Sequence, residues 1–152
     1  MNKPLPATVR PVTISDHQRW AELFLAYIEF YEKEISDEAL ATVWAWIFDP
    51  GEPFWCDLAV TPSGKIIGLV QYQAMHRSLG GIMVCYLSDL YVDPDARGSG
   101  AGRALIDHVI EVARDKRLGD VRWLTHDQNT AARALYDSYT EASGFILYSV
   151  PV

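Results

Sequence analysis

Leu87-Ser88-Asp89-Leu90-Tyr91-Val92-Asp93-Pro94, followed by Arg97-Gly98-Ser99-Gly100-Ala101-Gly102-Arg103, is the most informative part of the chain. The apolar and aromatic residues from Ile82 to Val92 read as a strand, closed by Asp93-Pro94-Asp95 and long enough to carry a bulge. After the glycines, Leu105, Ile106, Val109, Ile110 and Ala113 recur at helical steps. The order is therefore strand, glycine turn, helix. Glycines at 98, 100 and 102 permit positive φ, and consecutive N–H groups backed by the positive end of a helix dipole suit a phosphate. Arg97 and Arg103 flank the turn with positive charge. A Walker site would need Lys-Ser or Lys-Thr after the loop, and none is there. A dinucleotide fold would put its glycines in the first strand–helix turn, not two-thirds of the way along.

Before this stretch, residues 7 to 13 read as a short strand with Pro11 at an edge. Ser15 opens a helix on which Trp20, Leu23, Phe24, Tyr27, Phe30 and Tyr31 form one stripe. Ser36 or Asp37 caps a second helix, with Leu40, Val43, Trp44 and Ile47, that stops near Asp49-Pro50-Gly51. Strands are expected at Phe54 to Val60 and Lys65 to His76. Beyond the glycine turn, residues 120 to 126 read as a strand, Asn129 to about Ala142 as a helix and Gly144 to Val150 as a final strand. No repeat or linker interrupts the pattern, so one domain is expected over residues 1–152.

The 152 residues are 49% apolar and 22% charged, which excludes disordered, collagen-like and coiled-coil classes. With 13 Lys and Arg against 20 Asp and Glu, the net charge is −7. That argues against nucleic acid as a partner and leaves room for cationic ones. Cys56 and Cys85 lie in apolar segments with no neighbouring Cys or His pattern, so no metal site is expected. Buried thiols in a reducing compartment are the better reading, and a cytoplasmic location is expected. No apolar run approaches the roughly 18 residues of a membrane span.

Arg97-x-x-Gly100-x-Gly102, with Asn129-Thr130-Ala131-Ala132-Arg133-Ala134-Leu135-Tyr136 and Gly144-Phe145 downstream, resembles the GNAT family of N-acetyltransferases. The family signature is Gln or Arg, two residues, Gly, one residue, then Gly or Ala. The order of elements matches along nearly the whole chain. Tyr86-Leu87-x-Asp89-Leu90-Tyr91-Val92 and Ala132-Arg133-Ala134-Leu135-Tyr136-Asp137 are similar to the branch that acetylates small amines, polyamines and some protein amines. The resemblance implies an α/β (α+β) GNAT-type acyl-CoA N-acyltransferase fold, with a mixed sheet of about six or seven strands and about four flanking helices. It also implies an enzyme that transfers acetyl from acetyl-CoA directly to a primary amine in a ternary complex. The acceptor would be a polyamine-like molecule or a lysine or N-terminal amine. The alternative is a non-catalytic acyl-CoA-binding regulatory module.

Carried over by motif position, the amides of Gly98, Ser99, Gly100, Ala101, Gly102 and Arg103 would grip the pyrophosphate, with Arg97 opening the motif. Main-chain groups of Leu90, Tyr91 and Val92 would meet the pantetheine arm and the acetyl carbonyl. Asn129 would hydrogen-bond the cofactor arm, and Tyr136 would protonate the departing thiolate. The seven-residue step from Asn129 to Tyr136 is nearly two helical turns, which puts both on one side. As a plain alternative, Tyr136 is a core aromatic beside Leu135.

The resemblance implies an acceptor between the first two helices, the loop between them and the fourth and fifth strands, at Tyr27, Glu29, Tyr31 and Ser88, with Phe30, Trp44, Trp46 and Trp55 nearby, although the helical spacing of Tyr27, Phe30 and Tyr31 also suits core packing. Polyamine enzymes of the family often carry Glu immediately before the Asp of the fourth strand, where this chain has Ser88. Strict alternation turns Asp89 to the opposite face and makes it structural. The candidate bases are therefore Glu29, Glu32, His76 or a water chain, while His126 and Asp127 read as strand-end polar residues. Only about eight residues follow Gly144, enough for one closing strand. An unpaired edge would remain, and a homodimer is one way to cover it.

Overall fold

A computed structural model of the chain describes residues 6–152. Strand β1 (Thr8–Pro11) leads through a 3-10 turn at Ile14–Asp16 into α1 (His17–Phe30). Asp16 fixes that entry by accepting from both Arg10 guanidinium nitrogens, at 2.8 and 3.0 Å, and from the Thr13 N–H at 2.8 Å. The Arg10 hydrogen bonds hold the Asp16 carboxyl down at about 2. Helix α2 (Asp37–Phe48) begins at Ser36, whose Oγ accepts from the Ala39 N–H. Then follow β2 (Phe54–Val60), β3 (Ile66–Arg77), β4 (Ile82–Val92), α3 (Ala101–Asp115), β5 (Val121–Arg122) and α4 (Thr130–Asp137).

The sheet runs in the order β1-β2-β3-β4-β5, antiparallel throughout except that β5 lies parallel to β4. Apolar side chains leave both faces of it. On one face Trp20, Leu23 and Phe24 of α1 bury against Cys56, Leu58, Leu69 and Tyr91, with Val43 and Trp44 of α2 behind them. On the other, Leu105, Ile106, Val109 and Ala113 of α3 cover Val70, Tyr72, Cys85 and Leu87, joined by Leu135 and Tyr136 of α4. Gly68 makes that second contact possible: an added Cβ would stand 3.0 Å from Tyr91 O and 3.3 Å from the Leu105 side chain. Both cysteines are buried and free.

The mixed α+β architecture matches expectation, and the described residues form four α-helices but a sheet of five strands, not six or seven. The predicted strand at 120–126 is laddered only at Val121 and Arg122, and the predicted final strand at 144–150 does not form. A strand exists only where a neighbour takes up its N–H and C=O groups, and the tail has none among the described residues. Helix α4 ends at Asp137, short of Ala142.

The alternation argument about Asp89 also fails. The β3–β4 register slips, with Gln71 opposite Asp89 but Tyr72 opposite Leu87, so Ser88 is the extra residue of a bulge. Gln71 Nε2 donates to Asp89 Oδ2 at 2.8 Å and Gln73 Nε2 donates to Ser88 Oγ at 3.1 Å. Gln71 and Gln73 share one face of β3, so Ser88 and Asp89 both look toward α1.

One buried polar cluster ties α3 to the sheet. Asp57 accepts from the Tyr72 hydroxyl at 2.5 Å and lies 3.2 Å from His108 Nε2 on α3. Replacing Asp57 with Ala strands the buried Tyr72 hydroxyl, and urea unfolding should show a loss of about 1–3 kcal/mol. Unchanged stability would show that the cluster holds nothing.

Candidate active site

Between β4 and β5 the sheet opens. The two strands pair only at Cys85–Val121 and Tyr86–Arg122, after which β4 keeps β3 on one side and no strand on the other. The bulge at Ser88 bends β4 at the start of this opening. Main-chain groups of Leu90, Tyr91 and Val92 lie along it, although Val92 O is already approached by Arg97 Nε at 3.4 Å.

At the end of β4, Asp93 closes the strand. Its Oδ2 accepts from Arg19 at 2.7 Å and its Oδ1 from the Asp95 N–H at 3.0 Å. The glycine turn follows, with three glycines serving two purposes. Gly98 and Gly100 are left-handed, at φ +81° and +87°, and an added Cβ on either would point into open space. Gly102 has an ordinary φ, but a Cβ there would meet the Leu135 side chain at 3.3 Å, so its absence lets α3 close against α4. The N–H groups of Gly98, Gly100, Gly102 and Arg103 find no acceptor among the described residues. These free donors at the start of a 15-residue helix, at the positive end of its dipole, are groups that could hold a phosphate. The Arg103 guanidinium is turned away, donating to Ser138 Oγ at 2.9 Å, and Arg97 stacks over Tyr91 at 5.7 Å.

The opening also brings the two helical layers together. Tyr136 of α4 packs edge-on against Trp123, ring centroids 5.5 Å apart, and burial, then Tyr31 just past the end of α1, pushes its phenol up to about 12. Tyr31 in turn lies 5.6 Å from the His126 ring and 5.0 Å from Tyr27. Tyr27 donates to Ser88 O at 3.3 Å; burial and then the Asp89 carboxylate raise its phenol far above 10. Burial also raises Asp89, against the hydrogen bond from Gln71. That bond continues inward, since Gln71 Oε1 accepts from Trp20 Nε1 at 2.8 Å. The result is a row of hydroxyls and one carboxylate running from α4 to α1.

A cleft of about 380 Å3 meets this row at Tyr31 and is lined by Phe30, Tyr31, Glu32, His126, Gln128, Asn129, Thr130 and Ala131. Glu32 takes a left-handed conformation at its rim, φ 55°, unusual for a residue with a side chain. Asn129 caps α4, its Oδ1 accepting from the Ala132 N–H and its Nδ2 donating to Thr125. A larger hollow of about 540 Å3 beneath the turn from Ile47 to Trp55 contains none of these groups.

Several expected residues are placed elsewhere. Glu29 is exposed and outside the cleft lining. His76 shares the Tyr72 side of β3, facing away from Gln71 and Gln73. Trp55 packs on Tyr72 beneath the Lys116 ammonium, on the α3 side of the sheet, and Trp44, partly buried, packs at a tilt against Trp20 at the edge of the core. Asp89, read from the sequence as structural, joins the cluster instead. Its signal was the length of the Ile82 to Val92 strand, which had room for a bulge.

Comparison with known proteins agrees with this geometry. Residues 20–139 match the model of the acetyltransferase (GNAT) family. The chain is 31% identical over 141 residues to a D-amino-acid N-acetyltransferase of Saccharomyces cerevisiae, covering 92% of this chain and 88% of that one. An uncharacterized N-acetyltransferase of Bacillus subtilis is 28% identical, with 95% and 97% covered. The crystal structure of a probable acetyltransferase superposes with a TM-score of 0.81 at 25% identity, covering 95% and 97%. With a family model matched over residues 20–139 and a relative 31% identical over 92% of the chain, the chain belongs to the GNAT family of acetyl-CoA-dependent acetyltransferases.

Proposed function

We propose that the protein acetylates a primary amine directly from acetyl-CoA, and that the amine enters through the cleft between α1 and α4. The observation that carries this reading is the convergence of Tyr136, Tyr31, Tyr27 and Asp89 at the β4–β5 opening, beside the free amides of the glycine turn. Bound acetyl-CoA would supply an activated thioester there. The amides of Gly98, Gly100, Gly102 and Arg103 hold the pyrophosphate, and main-chain groups of Leu90 to Val92 hold the arm and orient the acetyl carbonyl. Asn129 keeps one side of the arm through the Nδ2 hydrogen not given to Thr125.

Two proton movements remain. An alkylammonium with a pKa near 10 must lose a proton before it attacks, and the thiolate that leaves must gain one. Asp89 serves the first. Burial raises it above a surface carboxylate, which makes it a stronger base, and Tyr31 in the cleft lining, with Tyr27 5.0 Å behind it, leads toward it. Tyr136 serves the second. At about 12 its phenol stays protonated across the working pH range and is a ready donor.

The cleft lining includes the Glu32 carboxylate and the Tyr31 ring but no Lys or Arg, which favours a cationic acceptor over one with a free carboxylate. A polyamine-like amine, a lysine or an N-terminal amine meets that description. The relationship to a D-amino-acid N-acetyltransferase favours a second reading, a zwitterionic amino acid whose carboxylate meets Gln128 and His126. The buried free thiols fit a reducing compartment such as the cytoplasm.

CoA thiol release from acetyl-CoA, measured across diamines, spermidine, lysine peptides and D- and L-amino acids, tests the reading. Saturable turnover with cationic amines is expected; turnover with amino acids alone would favour the second reading. Acetyl-CoA binding without turnover on any amine would point to a non-catalytic module. With the best acceptor, Tyr136→Phe should lower kcat about 100-fold or more while leaving the acetyl-CoA KM nearly unchanged. An unchanged kcat would remove Tyr136 from the chemistry.

Asp89→Asn should cut kcat by a similar factor, about 100-fold. Its stability effect has the opposite sign. The folded-state pKa of Asp89 is raised, so its favourable contribution is complete below the unfolded value of about 3.9 and is lost as pH rises through the folded value. The Asn variant should therefore unfold at higher urea than the parent at pH 7.5, with the gain shrinking as pH falls toward 4. A destabilised variant at neutral pH would contradict the charge assignment.

A further inference from the structure

We propose that Gln71, locked by the indole of Trp20, is a positioning residue for the acetyl transfer: it holds one oxygen of the Asp89 carboxylate and leaves the other to take the proton of the acceptor. The inference rests on the reading of Asp89 as the base and adds what aims it.

Gln71 sits where the fold asks for an apolar side chain. It is fully buried in β3, with Cys56 of β2 opposite it on one side and Asp89 of β4 on the other. Within the buried run of residues 67–72 it is the one amide, and Leu69 on the same face belongs to the apolar layer under α1. A buried amide costs stability unless its hydrogen bonds are made, whereas Leu or Met would fill the place without that demand. A polar residue kept in such a position points to a task beyond packing.

Its hydrogen bonds run in one direction only. Trp20 Nε1, equally buried, can donate but not accept, so the 2.8 Å contact fixes Gln71 Oε1 as the acceptor. The amide nitrogen is thereby turned to Asp89 Oδ2, to which it donates at 2.8 Å. A flipped amide would set N–H against N–H and carbonyl against carboxylate, so the orientation is locked from the core side.

No cation duplicates this role. Among the described residues no Lys, Arg or His lies within ion-pair distance of Asp89. The titratable groups that feel its charge are Tyr27 of α1, Cys56 of β2 and Tyr86 of β4, and burial keeps all three neutral at working pH. The carboxylate therefore rests on two neutral donors, the Gln71 amide first and the Tyr27 hydroxyl second. With Oδ2 held by Gln71, Oδ1 is the oxygen left to act. In the reaction an N–H bond of the acceptor ammonium breaks, an O–H bond forms at Asp89 Oδ1, and the electron pair stays on nitrogen to attack the acetyl carbon.

Gln71→Met keeps the shape and removes the donor. The amide bonds the ionised form of Asp89, so its loss raises the carboxyl, and with the best amine the acidic limb of the kcat/KM profile should move up by about one to two pH units. The plateau kcat should fall about 10-fold while the acetyl-CoA KM stays nearly unchanged. An unmoved limb in a folded, active Gln71→Met variant overturns the proposal. Asp89→Asn separates it from the reading it rests on. If Asp89→Asn removes the limb and Gln71→Met leaves it in place, Asp89 remains the base and only the role of Gln71 falls; if Asp89→Asn keeps full turnover, the base assignment falls and this inference with it. Because losing a buried partner can unfold the chain, NMR on the intact protein provides a separate reading. The side-chain amide resonances of Gln71 should titrate with the midpoint of the acidic limb, and that pH dependence should vanish in Asp89→Asn. Resonances that do not respond to pH overturn the proposal.

Discussion

After Tyr86, strand β4 loses one of its neighbours, and the rest of the site follows from that parting. Parallel pairing with β5 covers two residue pairs and stops, while pairing with β3 continues to Val92. The bulge at Ser88 accompanies the change, shifting the strand by one residue against β3. A sheet that would otherwise be closed acquires a slot with main-chain donors and acceptors along one wall. Through this slot the two helical layers, elsewhere separated by the sheet, come into electrostatic reach of each other at Tyr31 and Tyr136.

The stabilising contacts around the slot keep it from collapsing. Asp93 pins the end of β4 to Arg19 of α1, and Gly68 lets α3 seat close behind the strand. Gly102 lets α3 and α4 approach, which places Tyr136 and the free amides of the turn on either side of the opening. Trp20, Gln71 and Asp89 form a buried hydrogen-bonded line that fixes one carboxylate at the far end. Holding that carboxylate out of water costs stability at neutral pH, and the same burial raises its basicity. In the proposed reaction stability and chemistry are opposed at this residue, as is common where a fold carries a reactive group.

Much of this was legible in the sequence because it is local. Spacing alone located α1, α2 and α3, the three long strands and the glycine turn, and the paired motifs pointed to the family before any coordinates. What escaped was set by tertiary neighbours. Asp89 was assigned to the wrong face because one inserted residue, Ser88, reverses alternation, and nothing in the residue types reveals where a bulge falls. Trp55 and Trp44 looked like acceptor-site aromatics but are packing residues, since aromatic composition does not say which layer a ring joins. The strand expected at 144–150 does not form, because strand character needs a partner for its backbone groups and none of the described residues supplies one.

The most direct test of the central claim is hydrogen exchange of the protein with and without CoA. If the slot and the glycine turn receive the cofactor, protection should appear at the amides of residues 98–103 and 90–92 together, while those at the Ile47–Trp55 hollow should be unaffected. Protection confined to the hollow, or spread over the sheet without the glycine turn, would contradict the account.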